Sequence, residues 1–291
     1  MLDVIIALVP TLAAGTVIFG LRALLLTAVT VLFAVFSEFV FSLVTKRKNT
    51  VNDFSAALTG LLLALSLPAA APLWQCALGA VFAIIVVKCL FGGIGQNFAN
   101  PAITARVFLL ISFAGTIGKG AVPRISSAPE LVSGATPLAV ISGGGELPSL
   151  PDMLLGLRGG AIGEGCAVAI AIGFIYLVLR RVIYFETPLI CIATVFVLSL
   201  IAYDSFSIAL YQVLSGGLLI SSVFMITDYS STPITRGGRM VFAFGCGVIT
   251  FMIRYFGSYP EGVSFAILFM NILTPYIERF TVKRPFGGEI K

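Results

Sequence analysis

Three short polar segments stand out of an otherwise apolar chain. The first, Gly92-Gly93-Ile94-Gly95-Gln96-Asn97-Phe98-Ala99-Asn100-Pro101-Ala102-Ile103-Thr104, sets two amides and a hydroxyl beside a backbone loosened by three glycines. Asn97 and Asn100 each offer donors and acceptors, which suits a flat polar ring system or a small solute away from bulk water, with Thr104 one turn further on. The same residues also suit a turn in which Asn100 caps the helix that Pro101 begins. The second segment, Thr227-Asp228-Tyr229-Ser230-Ser231-Thr232-Pro233-Ile234-Thr235-Arg236, gathers hydroxyls around one carboxylate. Thr227, Asp228, Thr232 and Thr235 can together hydrogen-bond a ligand or hold an ion; the competing reading is a polar turn in which Asp228 or Thr232 caps the next helix and Asp228 balances Arg236. The third, Leu131-Val132-Ser133-Gly134-Ala135-Thr136-Pro137-Leu138, is by residue type alone a Ser/Thr/Gly/Pro turn.

Residue types also exclude chemistry. Histidine is absent from all 291 residues, which removes His-ligated haem, a His-containing zinc site and any Ser/His/Asp triad. The five cysteines, Cys76, Cys89, Cys166, Cys191 and Cys246, lie in or at the ends of apolar runs without a CxxC pair, so they read as packing residues and not as cluster ligands or a disulfide framework.

The elements that must position these segments follow from composition. The chain is 58% hydrophobic and 11% charged, where soluble domains carry about 25% charged residues, so it is an integral membrane protein. At about 20 residues per crossing its length allows roughly ten helices with little left for a soluble domain, and no Rossmann or P-loop motif appears. The fold class is therefore all-α and polytopic. Apolar runs predict helices near 3–20, 22–44, 54–68, 74–91, 101–117, 160–179, 187–203, 206–227, 239–256 and 260–278. The run at 54–68 is short and stops at Pro68-Ala69-Ala70-Ala71-Pro72, the pattern of a half-broken helix. Met1-Leu2-Asp3 opens the chain without a basic stretch, so the first apolar run reads as a retained helix.

With both termini cytoplasmic, thirteen of the 18 basic residues fall inside, among them Lys46, Arg47, Lys48, Lys88, Arg106, Arg180, Arg181 and Arg236; Arg22, Lys119, Arg124, Arg158 and Arg254 fall outside. That bias is the one the positive-inside rule demands, and it accounts for the basic pI without nucleic acid. The stretch 118–159 is the longest predicted non-helical one and lies on the extracytoplasmic side.

Two pairs of segments look alike. Leu58-Thr59-Gly60-Leu61-Leu62-Leu63 resembles Leu214-Ser215-Gly216-Gly217-Leu218-Leu219, and Phe91-Gly92-Gly93 with Phe98-Ala99 resembles Phe256-Gly257-Ser258 with Phe265-Ala266. The offset is five helices, and an odd offset makes the halves antiparallel: an inverted repeat, with its binding site expected at the interface. The organisation that follows is 1–117 as the first five-helix repeat, 118–159 as the outer loop, 160–278 as the second repeat and 279–291 as a cytoplasmic tail.

Ser133-Gly134-Ala135-Thr136 followed by a small or apolar residue resembles the flavinylation motif, in which a threonine hydroxyl carries flavin mononucleotide (FMN) through a phosphoester bond. That chemistry needs an exposed hydroxyl on a flexible turn, and Thr136 is expected to provide it. With Asp3-Val4-Ile5-Ile6-Ala7-Leu8, the Asn97-to-Pro101 and Asp228-to-Thr235 segments and Tyr259-Pro260-Glu261-Gly262-Val263-Ser264-Phe265-Ala266, the whole chain resembles the RnfD/NqrB family of membrane subunits of redox-driven ion pumps, and RnfD more closely, because NqrB-type chains carry a longer N-terminal extension. The resemblance implies membership of a ferredoxin:NAD oxidoreductase complex in a bacterial or archaeal cytoplasmic membrane. The chain would hold FMN on Thr136 and relay electrons coupled to Na+ or H+ transport, without being catalytic alone. The resemblance further implies RnfA, RnfB, RnfC, RnfE and RnfG as partners and a flavin transferase for maturation; in the NqrB type of the family a second, non-covalent flavin (riboflavin) is associated with segments resembling those of Asn97, Asn100, Thr227 and Asp228.

The competing class is an inverted-repeat channel for urea or ammonium. It would explain the repeat and the polar segments but not Ser133-Gly134-Ala135-Thr136, and an ammonium pore would be expected to carry histidines. Glu38, within the second apolar run, reads as a lone intramembrane carboxylate free to pair with a neighbouring protein.

Overall fold

The computed structural model describes residues 1–46, 50–121, 123, 133–134, 136–143, 147–257 and 261–282. Among them the fold is helical: α1 (Leu2–Phe19), α2 (Leu21–Val44), α3 (Ser55–Leu65), α4 (Leu73–Cys89, whose second half is wound as a π-helix), α5 (Pro101–Ser112), α6 (Ala114–Ile117), α7 (Pro137–Gly143), α8 (Leu150–Leu155), α9 (Ala167–Leu179), α10 (Glu186–Tyr203), α11 (Phe206–Leu214), α12 (Leu218–Met225), α13 (Arg236–Phe256) and α14 (Val263–Thr281). The chain is an all-α polytopic membrane protein. Among the described residues, helices α1, α2, α10 and α13 are each long and apolar enough to span a bilayer; α11 and α12 are together long and apolar enough but are bent by 63° at their break, the geometry of a broken span or a re-entrant loop; and α3, α4, α5 and α9 are shorter apolar helices.

Short helices need explaining, because α3, at 11 residues, rises only about 16 Å, against a hydrocarbon core of about 30 Å. After Leu65 the chain runs on without helical structure through Ser66–Ala71, almost wholly buried. Irregular backbone is tolerated at that depth only where protein surrounds it and satisfies its polar groups. Here other parts of the chain do so: Ile162 N donates to Leu67 O (3.0 Å), Gly163 N donates to Leu65 O (2.7 Å), and Arg22 Nε donates to Ala69 O (3.1 Å). Gly163 is required there, since a Cβ would lie 2.5 Å from Ile220 Cδ1 and 2.9 Å from Leu65 O.

The break between α11 and α12 falls at Ser215-Gly216-Gly217, with Gly216 at φ +63°. The carbonyls left over at the end of α11 are taken by buried arginines. Arg254 donates to Gln212 O (2.5 Å) and Ser215 O (3.1 Å), and Arg158 donates to Leu214 O. Cations at a helix C-terminus also oppose its dipole favourably.

Several boundaries differ from the expected ones. The run 160–179 becomes helical only at Ala167, because residues 160–163 are used to close α3 and to pair with β1 (Gly120–Ala121). The run 101–117 stops at Ser112 and 206–227 splits at the glycines. The stretch 118–159 is not wholly non-helical: it holds α7, α8 and a two-stranded ribbon of β1 with β2 (Ser133–Gly134), in which Gly120 faces Gly134 and Ala121 faces Ser133. The two Gly-containing motifs also do different jobs. Gly60 sits inside an intact helix against Val31 and Ala34 of α2, whereas Gly216 and Gly217 break one. The same neighbour pattern nevertheless recurs in the two halves, α2 packing on α3 and α4 as α10 packs on α11 and α13.

Candidate functional site

Asn100 initiates α5: its Oδ1 accepts from Ala102 N (3.0 Å) and Ile103 N (3.3 Å), with Pro101 at the first helical position. That leaves its Nδ2 free to reach outward, and it donates to Asp228 Oδ2 (3.1 Å). Asp228 follows α12, where the chain folds back over its own carboxylate: Ser230 N (3.2 Å) and Ser230 Oγ (3.0 Å) donate to Oδ1, and Ser231 Oγ donates to Oδ2 (3.1 Å). Asn100 therefore caps a helix, one of its two readings, and also joins the two polar segments. Burial pushes the Asp228 carboxyl above its ordinary range, and outweighs the hydrogen bonds from Ser230, Ser231 and Asn100 that favour the charged form.

Asn271 of α14 ties the same point together. With its amide oriented to satisfy both neighbours, it accepts from Asn100 N (3.0 Å) and donates to Ser231 O (3.1 Å). Sequence reasoning missed it, although a buried asparagine within the apolar run 260–278 is the signal that marks such a residue.

The remaining candidates divide. Asn97, Asn100, Thr227 and Asp228 all line one cavity of about 890 Å3 including its mouth, together with Ser55, Thr59 and Lys88, over an apolar floor that includes Leu58, Leu62 and Phe224. Asn97 Oδ1 is buried there without a hydrogen-bond partner. Thr104 is turned into its own helix, donating to Asn100 O (2.9 Å). Thr232 donates to Asp228 O (2.6 Å) and lines an adjoining cavity beside Thr187 and Arg239, which shares Thr227 and Tyr229 with the first. Thr235, and neither Asp228 nor Thr232, caps α13 by accepting from Gly238 N (3.0 Å). The expected Asp228–Arg236 balance is also corrected: Arg236 pairs with Glu186 across the α10–α13 contact.

Ser133 and Gly134 form β2, while Ala135, Leu131 and Val132 lie outside the described residues. Thr136 directly precedes α7 and its carbonyl accepts from Val140 N (3.0 Å). The expected exposure is not found: Thr136 is 8% exposed, packed so closely on Gly120 that a Cβ there would come within 2.9 Å of Thr136 Cγ2. Two residues on, Leu138 packs where a Cβ of Gly216 would lie, beside Arg254.

Next to that break is a buried charge cluster that charge counting misplaced. Arg106, assigned to the inner side, is 5% exposed within α5; it donates to Glu164 (3.1 Å) and to Glu261. Arg158 and Arg254, counted as outer charges, are likewise buried. The loops that carry Glu164 and Glu261 dip into the bundle to meet them, and nothing in their local sequence marks that. Glu38 is not a lone carboxylate: Lys88 Nζ donates to its Oε1 (2.7 Å), as does Thr50 Oγ1 (2.7 Å).

Comparison with known proteins extends over nearly the full length. Residues 1–287 match the model of the NQR2, RnfD, RnfE family. The chain is 45% identical to the D subunit of the Na+-translocating ferredoxin:NAD+ oxidoreductase complex of Acetobacterium woodii, over 99% of this chain and 90% of that protein. It is 35% identical to the D subunit of the proton-translocating ferredoxin:NAD+ oxidoreductase complex of Clostridium ljungdahlii, over 99% and 91%. With the D subunit of the ion-translocating oxidoreductase complex of Stutzerimonas stutzeri the identity is 38%, over 99% and 91%. A match of this extent, on a helical membrane fold whose polar segments meet at Asn100 and Asp228, places the chain in the NQR2, RnfD, RnfE family.

Proposed function

We propose that the chain is the D-type membrane component of an Rnf-type ion-translocating ferredoxin:NAD oxidoreductase complex, not catalytic alone, and that it positions flavin within the membrane domain. The observation that carries this reading is the near full-length identity with the D subunits of such complexes. In it the ten apolar segments form two inverted five-helix halves, both termini are cytoplasmic, the membrane is the bacterial or archaeal cytoplasmic one, and RnfA, RnfB, RnfC, RnfE and RnfG complete the assembly.

FMN is carried on the Thr136 hydroxyl through a phosphoester bond formed by a flavin transferase, and a second, non-covalent flavin occupies the Asn97/Asp228 cavity. A bound flavin supplies the electron chemistry, and the protein supplies position and electrostatics. The residues of the cavity fit a flat heteroaromatic ring with polar edges. Asn97 Oδ1 is an acceptor without a partner, Asp228 and Thr227 offer further acceptor and donor groups, and Leu58, Leu62 and Phe224 give the ring faces an apolar bed. Around Thr136 the residue type fits but its burial does not present it. Attachment therefore requires the packing of Thr136 on Gly120 to open.

Thr136→Ala in the assembled complex tests the covalent assignment. Loss of flavin fluorescence from this band in a denaturing gel is expected, with the protein still inserted; a mutant band that stays fluorescent overturns it.

A further inference from the structure

We propose that α9, α10 and α12 hold one phospholipid with an anionic headgroup, its phosphate on Arg239 and an acyl chain in the apolar groove beneath. The assignment is independent of the flavin sites and needs only a bilayer around the chain.

Ile170 and Phe174 of α9, Leu189 and Ile192 of α10, and Leu219 and Val223 of α12 line a groove of about 720 Å3 including its mouth, with no polar side chain on its wall among the described residues. Leu189 is exposed along it. The helix α10 is long and apolar enough to span the bilayer, and its N-terminal end carries Glu186 beside the exposed Tyr184 and Phe185, the mix of charge and aromatic rings that marks a membrane boundary. Leu189 and Ile192 belong to the first two turns of α10, so the groove starts at the depth where acyl chains start.

At that end the groove meets the cavity lined by Tyr184, Thr187, Thr227, Thr232 and Arg239, of about 520 Å3 including its mouth. Two elements carry both. On α10, Thr187 of the upper cavity directly precedes Pro188 of the groove; after α12, Thr227 of the upper cavity donates to the carbonyl of Val223 in the groove (2.6 Å) and so stands one turn above it. Outward from the hydrocarbon the lining therefore passes from aliphatic side chains to hydroxyls to a guanidinium. Acyl chain, ester and phosphate follow in the same order.

The guanidinium of Arg239 lies 3.9 Å from the centroid of the Tyr184 ring, which covers one of its faces. Among the described residues its N–H edges have no carboxylate partner, because the acids around it are committed elsewhere: Glu186 receives Arg236 through both oxygens, Glu278 accepts from Ile234 N, and Asp228 is held by Asn100, Ser230 and Ser231. Arg181, exposed in the α9–α10 turn, likewise has no ion pair among them. The tail 283–291, outside the described residues, brings Lys283, Arg284 and Lys291 against Glu289 and cannot make this end acidic. A guanidinium edge holds two phosphate oxygens with paired bonds. A zwitterionic headgroup would bring its own cation towards Arg181 and Arg239, so the site favours a headgroup with net negative charge.

The intact complex is reconstituted in phosphatidylcholine liposomes that contain a trace of phosphatidylglycerol with a photoreactive diazirine on one acyl chain; phosphatidylcholine bearing the same chain is the comparison probe. After illumination, labelled peptides of this chain are identified by mass spectrometry. The phosphatidylglycerol probe is expected to label the groove segments of α9, α10 and α12 about tenfold more than the phosphatidylcholine probe, the scale of one charge-assisted hydrogen bond. Arg239→Gln should remove that preference, and Ala171→Trp, which fills the groove and leaves Arg239 in place, should abolish labelling by both probes. Equal labelling of the wild type by the two probes overturns the proposal, as does a groove without label because a neighbouring protein covers it. Full labelling of Ala171→Trp overturns the use of the groove and the proposal with it. Displacement of the probe by glycerol phosphate added to the buffer would show a pocket for a free phosphate and overturn the lipid.

Discussion

Asn100 and Asp228 lie 128 residues apart in the chain and share a hydrogen bond of 3.1 Å. One is the cap of α5 and the other follows α12, so this bond joins segments from distant parts of the chain at the wall of the cavity that Asn97 and Thr227 also line.

Asp228→Asn turns one acceptor into a donor facing Asn100 Nδ2 or the serine hydroxyls. A loss of about 1–3 kcal/mol is expected, read as a lower unfolding temperature in detergent with loss of the non-covalent flavin. The wild-type pH dependence has a definite sign. A carboxyl held above its ordinary value of 3.8 keeps its proton in the folded state where the unfolded chain has lost it. Its contribution is full below that ordinary value and is lost as pH rises through the raised one. Unfolding temperatures measured across that range should fall with rising pH, and less steeply in Asp228→Asn.

Much of this site was legible in the sequence. Asn97, Asn100, Thr227 and Asp228 were marked by polarity against an apolar background, whereas the run 206–227 read as one helix and its break at Ser215-Gly216-Gly217 did not show. What stayed hidden was which side chains meet. Arg106, Glu164 and Glu261 belong to a helix and two separate loops, and Glu38 and Lys88 to different helices. No periodicity links them; only the packing of the bundle does. Thr136 was read as exposed because a Ser/Gly/Ala/Thr turn normally is, and its burial comes from the ribbon with Gly120–Ala121, a long-range pairing.

Arg106→Gln leaves Glu164 and Glu261 facing each other without their shared cation. A destabilisation of about 3–5 kcal/mol is expected, seen as poor recovery of folded protein from membranes. Arg180→Ala breaks only the pair with Asp3, whose side chains are 61% and 35% exposed, and should change stability by less than about 1 kcal/mol. Equal effects from the two would contradict the burial described for Arg106.

Gly173 of α9 lies so close to α1 that a Cβ would stand 2.4 Å from Ala7 O. Gly173→Ala should therefore cost about 1–3 kcal/mol by forcing the helices apart. Gly237, near the start of α13, has open space around its Cβ position; Gly237→Ala should be neutral or stabilising by about 0.5–1 kcal/mol. Thermal unfolding of the two variants in detergent compares them directly.

The proposed orientation is checked by single cysteines in a cysteine-free background. A membrane-impermeant reagent should label position 124 in intact cells, and positions 47 and 284 only after permeabilisation. Labelling of 284 in intact cells would invert the topology.

The closure of α3 by Ile162 and Gly163 sets an order on biogenesis. When the first five segments leave the ribosome, the carbonyls of Leu65 and Leu67 have no partners, since the two amides that satisfy them have yet to be synthesised. The half-helix must wait in the translocon, or be sheltered by water or by a neighbouring protein, until the later loop arrives and seals it. Expressing the N-terminal segments through Ser112 by themselves should give a fragment whose third segment inserts poorly, and co-expressing the remainder should rescue it.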